Sequence, residues 1–410
     1  MTTEKYSHRL FFVLFFVYTM SCFGKIAFPA VTAALIDEAV LTKTQAGTIG
    51  AVFWVLYAVG QFIGGALANK YRPTLLLGIG MVGGAVCNFL MAVCVGYIPM
   101  LLIWSFNGLI QFGVWPSILR MVTNNILPEQ RSKTLNYLAY CYAIGSILSY
   151  LTNAAVLSIL PWNYLFICCG VMNLVCVIPL IRAERVLIPQ LEPAAAATPA
   201  AKKASAPLPR GFIWSSGLVL LCFLIVLRNL FETGIKSWTP TILMETFGAT
   251  PQYTSLLSVV MLAMNLTGVT LCAWIYRKVK KSEPAALLVV FLTAVPLLLV
   301  MLGYRSMNIL VVTLVLSLVT ILSYGSGQIM SMYYPARFQN LGATPFIGGV
   351  INCFAALGNV LSSYVNGALA DNFGWDVIIW SWNGLIVVMV AVSLVLLAMW
   401  KRICAYAEQA

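Results

Sequence analysis

The sequence predicts an all-α membrane protein of twelve transmembrane helices arranged as two six-helix bundles. Three observations carry that prediction. Of the 410 residues, 61% are hydrophobic and only 9% are charged, where a soluble domain carries roughly 25% charged residues; the mean hydropathy is +0.92. Apolar segments recur along the chain, each long enough to cross about 30 Å of hydrocarbon as a helix. The basic residues between them gather on one side when the segments are threaded alternately through a bilayer. The short alternating segments of a membrane barrel are not seen.

Taken in order, the segments lie at about 10–35, 45–68, 74–95, 98–122, 134–158 and 162–181, then at about 212–240, 253–276, 285–303, 307–330, 342–366 and 375–400. The first shows no small-residue cleavage site and is read as a span rather than a removable signal. It contains "TMSCFGKIAFPAV", Thr19 to Val31, whose Lys25 would lose its water in hydrocarbon and so needs a partner or a task. The second carries Tyr57 and Gln61 four residues apart, on one helix face. The fourth holds Gln111 and Trp115 and ends at Arg120, which reads as a gate or interface anchor pairing with Glu129. Pro29 and Pro116 each remove a backbone donor and bend their helices.

Between the sixth and seventh segments stands "RAERVLIPQLEPAAAATPAAKKASAPLPR", Arg182 to Arg210. Its Ala, Pro and charges read as a flexible cytoplasmic linker. The expected division is an N-terminal bundle at 1–182, a linker at 183–210 and a C-terminal bundle at 211–410. The seventh segment carries Arg228, Asn229 and Glu232, with Lys236 toward its outer end in a snorkelling position. Tyr324, Gln328, Asn352 and Asn359 are further polar candidates to line a cavity. Two small-residue stretches, "IGSILSY" (Ile144–Tyr150) and "GGVINCFAALGN" (Gly348–Asn359), suit close helix contact.

With the N-terminus inside, eighteen of the 24 Lys and Arg lie on the cytoplasmic side, and Lys43 and Arg305 alone on the outer side. A multi-pass protein of a bacterial inner membrane with both termini cytoplasmic is expected. The net charge of +12 is thereby an orientation signal and not a nucleic-acid footprint. The eleven cysteines sit mostly in apolar runs and the sole histidine is His8, so no metal or cofactor is expected and the cysteines read as small buried hydrophobes. No Gly-x-x-x-x-Gly-Lys-Ser loop for ATP is present, and no catalytic cluster suggests an enzyme.

Several stretches resemble the major facilitator superfamily, and within it the organophosphate:phosphate antiporters, the glycerol-3-phosphate and hexose-phosphate transporters. "GGALANKYRP" (Gly64–Pro73) resembles the superfamily's loop between helices 2 and 3, with Asn69 where an aspartate is usual, beside Lys70. Its counterpart "CAWIYRKVKK" (Cys272–Lys281) keeps the basic cluster. "QFGVWPSILRMV" (Gln111–Val122), "TGIKSWTPTIL" (Thr233–Leu243) and "NGALADNFGWD" (Asn366–Asp376) resemble helix 4, the outer end of helix 7 and the helix 11–12 turn of the antiporters. The resemblance implies alternating access, a basic residue on helix 1 and another on helix 7 gripping phosphate, and gating at Asn69, Lys70 and Arg120. Lys25 matches the first position. The family's helix 7 arginine position falls on Glu232, with Arg228 one turn earlier; a family lysine on helix 2 is Gln61 here, and the family's binding histidine has no counterpart.

Two cations facing one cavity repel until an anion relieves them, with arginine gripping through paired hydrogen bonds and lysine as a point charge. The expected site is therefore Lys25, Arg228, Tyr57, Gln61, Glu232, Asn229, Tyr324, Gln328 and Asn352, and the expected partners are a small anionic metabolite, a counter-transported phosphate or proton, and the bilayer around a monomer. Two other readings stand beside it. Lys25, Arg228 and Glu232 form an internal ion network, Glu232 lying four residues from Arg228; or Glu232 carries a proton and couples it to uptake of a carboxylate or sugar acid. A membrane sensor of a phosphorylated metabolite, transporting little, is the rival from another class.

Overall fold

Inside hydrocarbon a backbone has no water to bond, so a spanning segment satisfies its own N–H and C=O groups as helix. The computed structural model describes residues 3–68, 70–138, 140–191, 212–338 and 344–409; Asn69 and most of the expected linker lie outside them. Among the described residues twelve helical spans are long and apolar enough to cross a membrane. They are α1 (Glu4–Asp37), α2 (Lys43–Gly65), α3 (Pro73–Val93), α4 (Tyr97–Asn125), α5 (Lys133–Leu157), α6 (Asn163–Leu191), α7 (Leu218–Phe247), α8 (Pro251–Lys278), α9 (Glu283–Ser306), α10 (Ile309–Arg337), α11 (Ile347–Phe373) and α12 (Trp375–Ala405). Local chemistry sets several of the ends. Thr42 and Gln45 exchange backbone-to-side-chain hydrogen bonds of 3.0 and 3.2 Å at the start of α2, a reciprocal cap. Asn308 Oδ1 accepts from the N–H of Leu310 at 2.8 Å to open α10.

The chain forms two compact units, Met1–Ala201 with Pro251–Leu256, and Lys202–Thr250 with Leu257–Ala410. Within unit 1, α1 packs along α5, α2 along α4 and α3 along α6. Within unit 2, α7 packs along α11 and α9 along α12, and α8 meets α10 at Gly268 and Gly325. One pairing order thus occurs twice. The small-residue stretches mark equivalent crossings. A Cβ on Gly145 would stand 2.7 Å from the Thr19 carbonyl of α1, and one on Gly358 would stand 2.6 Å from the Val226 carbonyl of α7. Only glycine admits that approach.

Each unit also ties the end of its first helix to the start of its sixth. Trp162 Nε1 donates to Glu38 Oε2 at 3.1 Å in unit 1, and Trp375 Nε1 donates to Glu245 Oε2 at 2.7 Å in unit 2.

Several boundaries differ from the sequence expectation by six or more residues, among them those of the seventh, tenth and eleventh spans, which end at Phe247, Arg337 and Phe373; two others frame the expected linker. The sixth span does not end near residue 181 but runs on to Leu191, through a π-helical turn at Ala183–Leu187. Ala183, Leu187 and Leu191 recur every fourth residue and are buried, so an apolar stripe hidden among the charges of the expected linker holds the helix. The seventh span begins at Leu218, because Gly217 at φ +73° stops a short turn at Phe212–Ser215.

Candidate functional site

In unit 1 the site is built around a buried cation. Lys25 is 6% exposed, and among the described residues no carboxylate pairs with it. Its Nζ stands 5.1 Å from the ring centroid of Tyr57 on α2 and 5.5 Å from that of Tyr18, two turns earlier on α1. Both distances are within cation–π range. Tyr18 in turn packs against Trp115 of α4 at 5.2 Å, and Tyr57 lies against Trp54 at 5.7 Å. Lys25 therefore sits in an aromatic box rather than an ion pair, and Trp115 serves as its outer wall.

Gln61 reaches the same region by a backbone route. Pro116 cannot donate to the carbonyl four residues before it, and its ring crowds that carbonyl. The helix accordingly tightens into a 3₁₀ turn at Gln111–Gly113. The Gln111 carbonyl accepts from Gln61 Nε2 at 3.4 Å. The Gln111 side chain accepts from Ser21 Oγ at 3.1 Å and donates to Asn107 Oδ1 at 3.5 Å. Deeper in unit 1, Asn88, Asn107 and Asn173 are fully buried; Asn88 Oδ1, Asn107 Nδ2 and both amide atoms of Asn173 meet no partner among the described residues.

In unit 2, Arg228, Glu232 and Lys236 lie at intervals of four on one face of α7. Glu232 is 5% exposed and bridges both cations, one carboxylate oxygen to Arg228 and the other to Lys236. The Arg228 guanidinium is held further by α10: Nε donates to the Ser323 carbonyl at 3.0 Å and Nη2 to the Tyr324 carbonyl at 3.4 Å. Nη1 donates to Asn229 Oδ1 at 3.3 Å. Gly327 makes room for it, since a Cβ there would stand 2.9 Å from Arg228 Cζ. Lys236 Nζ lies 4.5 Å over the Tyr324 ring. The snorkelling role expected for Lys236 is therefore corrected: its ammonium turns inward to Glu232. Thr233 Oγ1 donates to Asn359 Oδ1 at 2.8 Å, joining α7 to α11. Gln328 is half-buried and Asn352 exposed.

Toward the basic end of unit 1, Arg120 Nη1 donates to the Tyr71 carbonyl at 3.0 Å, so it anchors the α2–α3 loop. Lys70 in that loop is exposed. Asn69 and the Glu129 side chain lie outside the described residues.

Sequence reading left Tyr18, Ser21 and Lys236 out of the site. Tyr18 was findable: it lies seven residues before Lys25, two turns along the same helix face. Lys236 lay four residues beyond Glu232, the same spacing used for Arg228. Ser21 lies four residues before Lys25 on that face as well, but its partner Gln111 is on a distant helix and carried no signal.

The sequence profile of the Major Facilitator Superfamily matches residues 11–363. The "Probable hexose phosphate transport protein" of Chlamydia trachomatis is 24% identical over 149 residues, which is 36% of this chain and 33% of that protein; the matched stretch thus spans about a third of that relative. The "Hexuronate transporter" of Bacillus subtilis is 22% identical over 251 residues, 60% of each chain. Among solved structures, a bacterial homologue of the human lysosomal transporter Spinster, in an inward-facing and occupied conformation, superposes with a TM-score of 0.72 at 14% identity, covering 100% of this chain and 98% of that one.

Proposed function

Because the chain belongs to the Major Facilitator Superfamily, we propose that it is a secondary active transporter of a small organic anion, a sugar phosphate or related phosphate ester exchanged for phosphate by alternating access. One observation carries the reading: Lys25 is a buried cation with no carboxylate partner among the described residues, walled by Tyr18 and Tyr57. An ammonium desolvated without a counter-ion is costly, and an anionic guest supplies what is missing. Tyr57 and Gln61 offer the polar edges that a hydroxylated guest needs. The ladder of unit 2 carries one positive charge in excess, since a single carboxylate serves Arg228 and Lys236. Lys236, the more accessible of the two cations, with 18% side-chain exposure against 10%, is the better placed to meet an anion. Arg228 sets the position of Glu232. The likeness to the hexose phosphate protein of Chlamydia trachomatis supports the cargo class.

A second reading is favoured by the longer match to the hexuronate transporter and by the carboxyl of Glu232: proton-coupled uptake of a sugar acid. Uptake into proteoliposomes separates the two. Exchange that requires phosphate inside and ignores a pH gradient supports the antiporter, whereas uptake driven by an inward proton gradient without internal phosphate supports the symporter. Purified protein melted against sugar phosphates, glycerol phosphate and sugar acids should show a thermal shift for the cargo class, and the Lys25→Ala variant should bind it about 10- to 100-fold more weakly, the loss of one charge-assisted hydrogen bond. A ligand that stabilises Lys25→Ala as well as the native protein removes Lys25 from the site.

A further inference from the structure

A groove of about 500 Å³ runs along unit 1 between α3 and α6, floored by Ile110 of α4. Its lining on α3 extends from Thr74 to Gly83, and on α6 from Val177 to Glu184. At 1.5 Å per helical residue the α3 wall covers roughly 13 Å, close to half of the ~30 Å hydrocarbon thickness, and so about one leaflet. The body of the groove is apolar: Leu75, Ile79, Val82 and Ile181 line it while remaining between 38% and 52% exposed. Gly78 leaves its wall open, because a Cβ there would meet only Leu180, at 3.9 Å. The two polar lining residues, Thr74 and Glu184, stand together at one end.

That end is basic. Arg72 directly precedes α3, while Arg182 and Arg185 flank Glu184 at the π-helical turn of α6, and all three arginines are exposed. Arg72 Nη1 is 3.5 Å from Glu184 Oε1, yet 83% of the Arg72 side chain is accessible, so the contact leaves most of its donors open. Three arginines and one carboxylate thus lie close in position at this end, and Arg72 alone contacts Glu184. An apolar trench one leaflet deep, with an excess of arginine at its mouth, has the polarity of a phospholipid with a negative headgroup.

We propose that this groove is a binding site for an anionic phospholipid of the leaflet at the basic end. One acyl chain lies along α3 and α6 past Gly78, and the headgroup phosphate is gripped by Arg72 with Arg182 and Arg185 nearby. Arginine suits that role because its fork matches two phosphate oxygens, and clustered basic residues beside a span favour anionic over zwitterionic lipid. The proposal does not depend on which solute the protein carries.

The test uses the full chain, delipidated in detergent and titrated with phosphatidylglycerol or phosphatidylcholine of identical chains, with bound lipid counted by native mass spectrometry. Phosphatidylglycerol should saturate at about tenfold lower concentration. The combined Arg72→Gln, Arg182→Gln and Arg185→Gln variant should lose that preference, each arginine contributing up to about fivefold. Gly78→Phe should weaken retention of both lipids by filling the trench. Inorganic phosphate in millimolar excess should leave bound lipid in place, since it offers no chain; displacement by phosphate alone would make the site one for the free anion. Equal retention of the two lipids, or a preference that survives the arginine substitutions, overturns the proposal. If Gly78→Phe fails to fold, the arginine variant, altered only at exposed positions, still decides it.

Discussion

The two six-helix units repeat their scaffold closely and their charges hardly at all. Each ties its first helix to its sixth through an indole and a carboxylate, Glu38 with Trp162 and Glu245 with Trp375. Each has an asparagine nine residues before that tryptophan, Asn153 and Asn366, which bonds to a helix carbonyl. Lys25 stands thirteen residues before Glu38; thirteen residues before Glu245 stands Glu232. At matching positions one unit has a cation boxed by tyrosines and the other an anion clamped by Arg228 and Lys236. The parts that close each bundle are alike in the two units, and the parts proposed to meet a solute differ. In unit 2 one carboxylate serves two cations from within, whereas Lys25 of unit 1 has no carboxylate partner among the described residues.

The most severe way to break this contrast is Glu232→Gln. Removing one member of a buried ionic cluster leaves the others uncompensated, at a cost of about 3–5 kcal/mol. Thermal unfolding in detergent should fall steeply, and the double substitution Glu232→Gln with Lys236→Met should recover part of the loss by removing one stranded cation. Lys25→Met should do the opposite in the absence of ligand. It deletes a desolvated charge that has no carboxylate partner among the described residues, so the melting temperature should hold or rise, while the anion-dependent thermal shift disappears along with a 10- to 100-fold loss of affinity. If both substitutions destabilise the unliganded protein equally, the asymmetry between the units is not electrostatic.

How much of this was readable in advance follows from the range of each interaction. The span count rested on length and apolarity, which act locally, and the small-residue stretches of α5 and α11 announced their crossings. The continuation of α6 to Leu191 was hidden, because the repeat of Ala183, Leu187 and Leu191 is interleaved with Arg182, Glu184 and Arg185 and a π-helical turn shifts its phase. The Arg228–Glu232 pair was legible as i, i+4 spacing. The grip of α10 on Arg228 was not, since it uses backbone carbonyls of Ser323 and Tyr324 and no side-chain pattern records them. Lys25 announced itself as a charge in an apolar run, but only packing identified tyrosines, rather than a carboxylate, as its neighbours.

A milder comparison concerns the two indole ties. Trp162→Phe and Trp375→Phe each remove a hydrogen bond to a carboxylate while keeping an aromatic ring, a loss of about 1.5–3 kcal/mol. Each should lower the melting temperature by a similar amount if the two units are closed by the same device. A large effect at one tryptophan alone would mean that the second tie is ornamental to its unit.

The smallest expected effect lies at an exposed rim of unit 2. Arg305 donates from Nε to Asp376 Oδ1 at 2.9 Å and from Nη2 to Oδ2 at 3.0 Å, a paired geometry that would rank high if it were buried. Both side chains are more than half exposed, so water and salt screen the attraction and the ordering of two long side chains offsets much of it. Tyr304 also donates to Asp376 Oδ1, at 3.0 Å, so the carboxylate keeps a partner when the arginine is removed. Arg305→Gln should therefore shift stability by less than about 1 kcal/mol, and the shift should shrink further in high salt. Set against Glu232→Gln in the same melting assay, it asks whether burial or hydrogen-bond geometry governs the worth of an ion pair in this protein. A loss at Arg305 approaching that at Glu232 would assign the governing role to geometry.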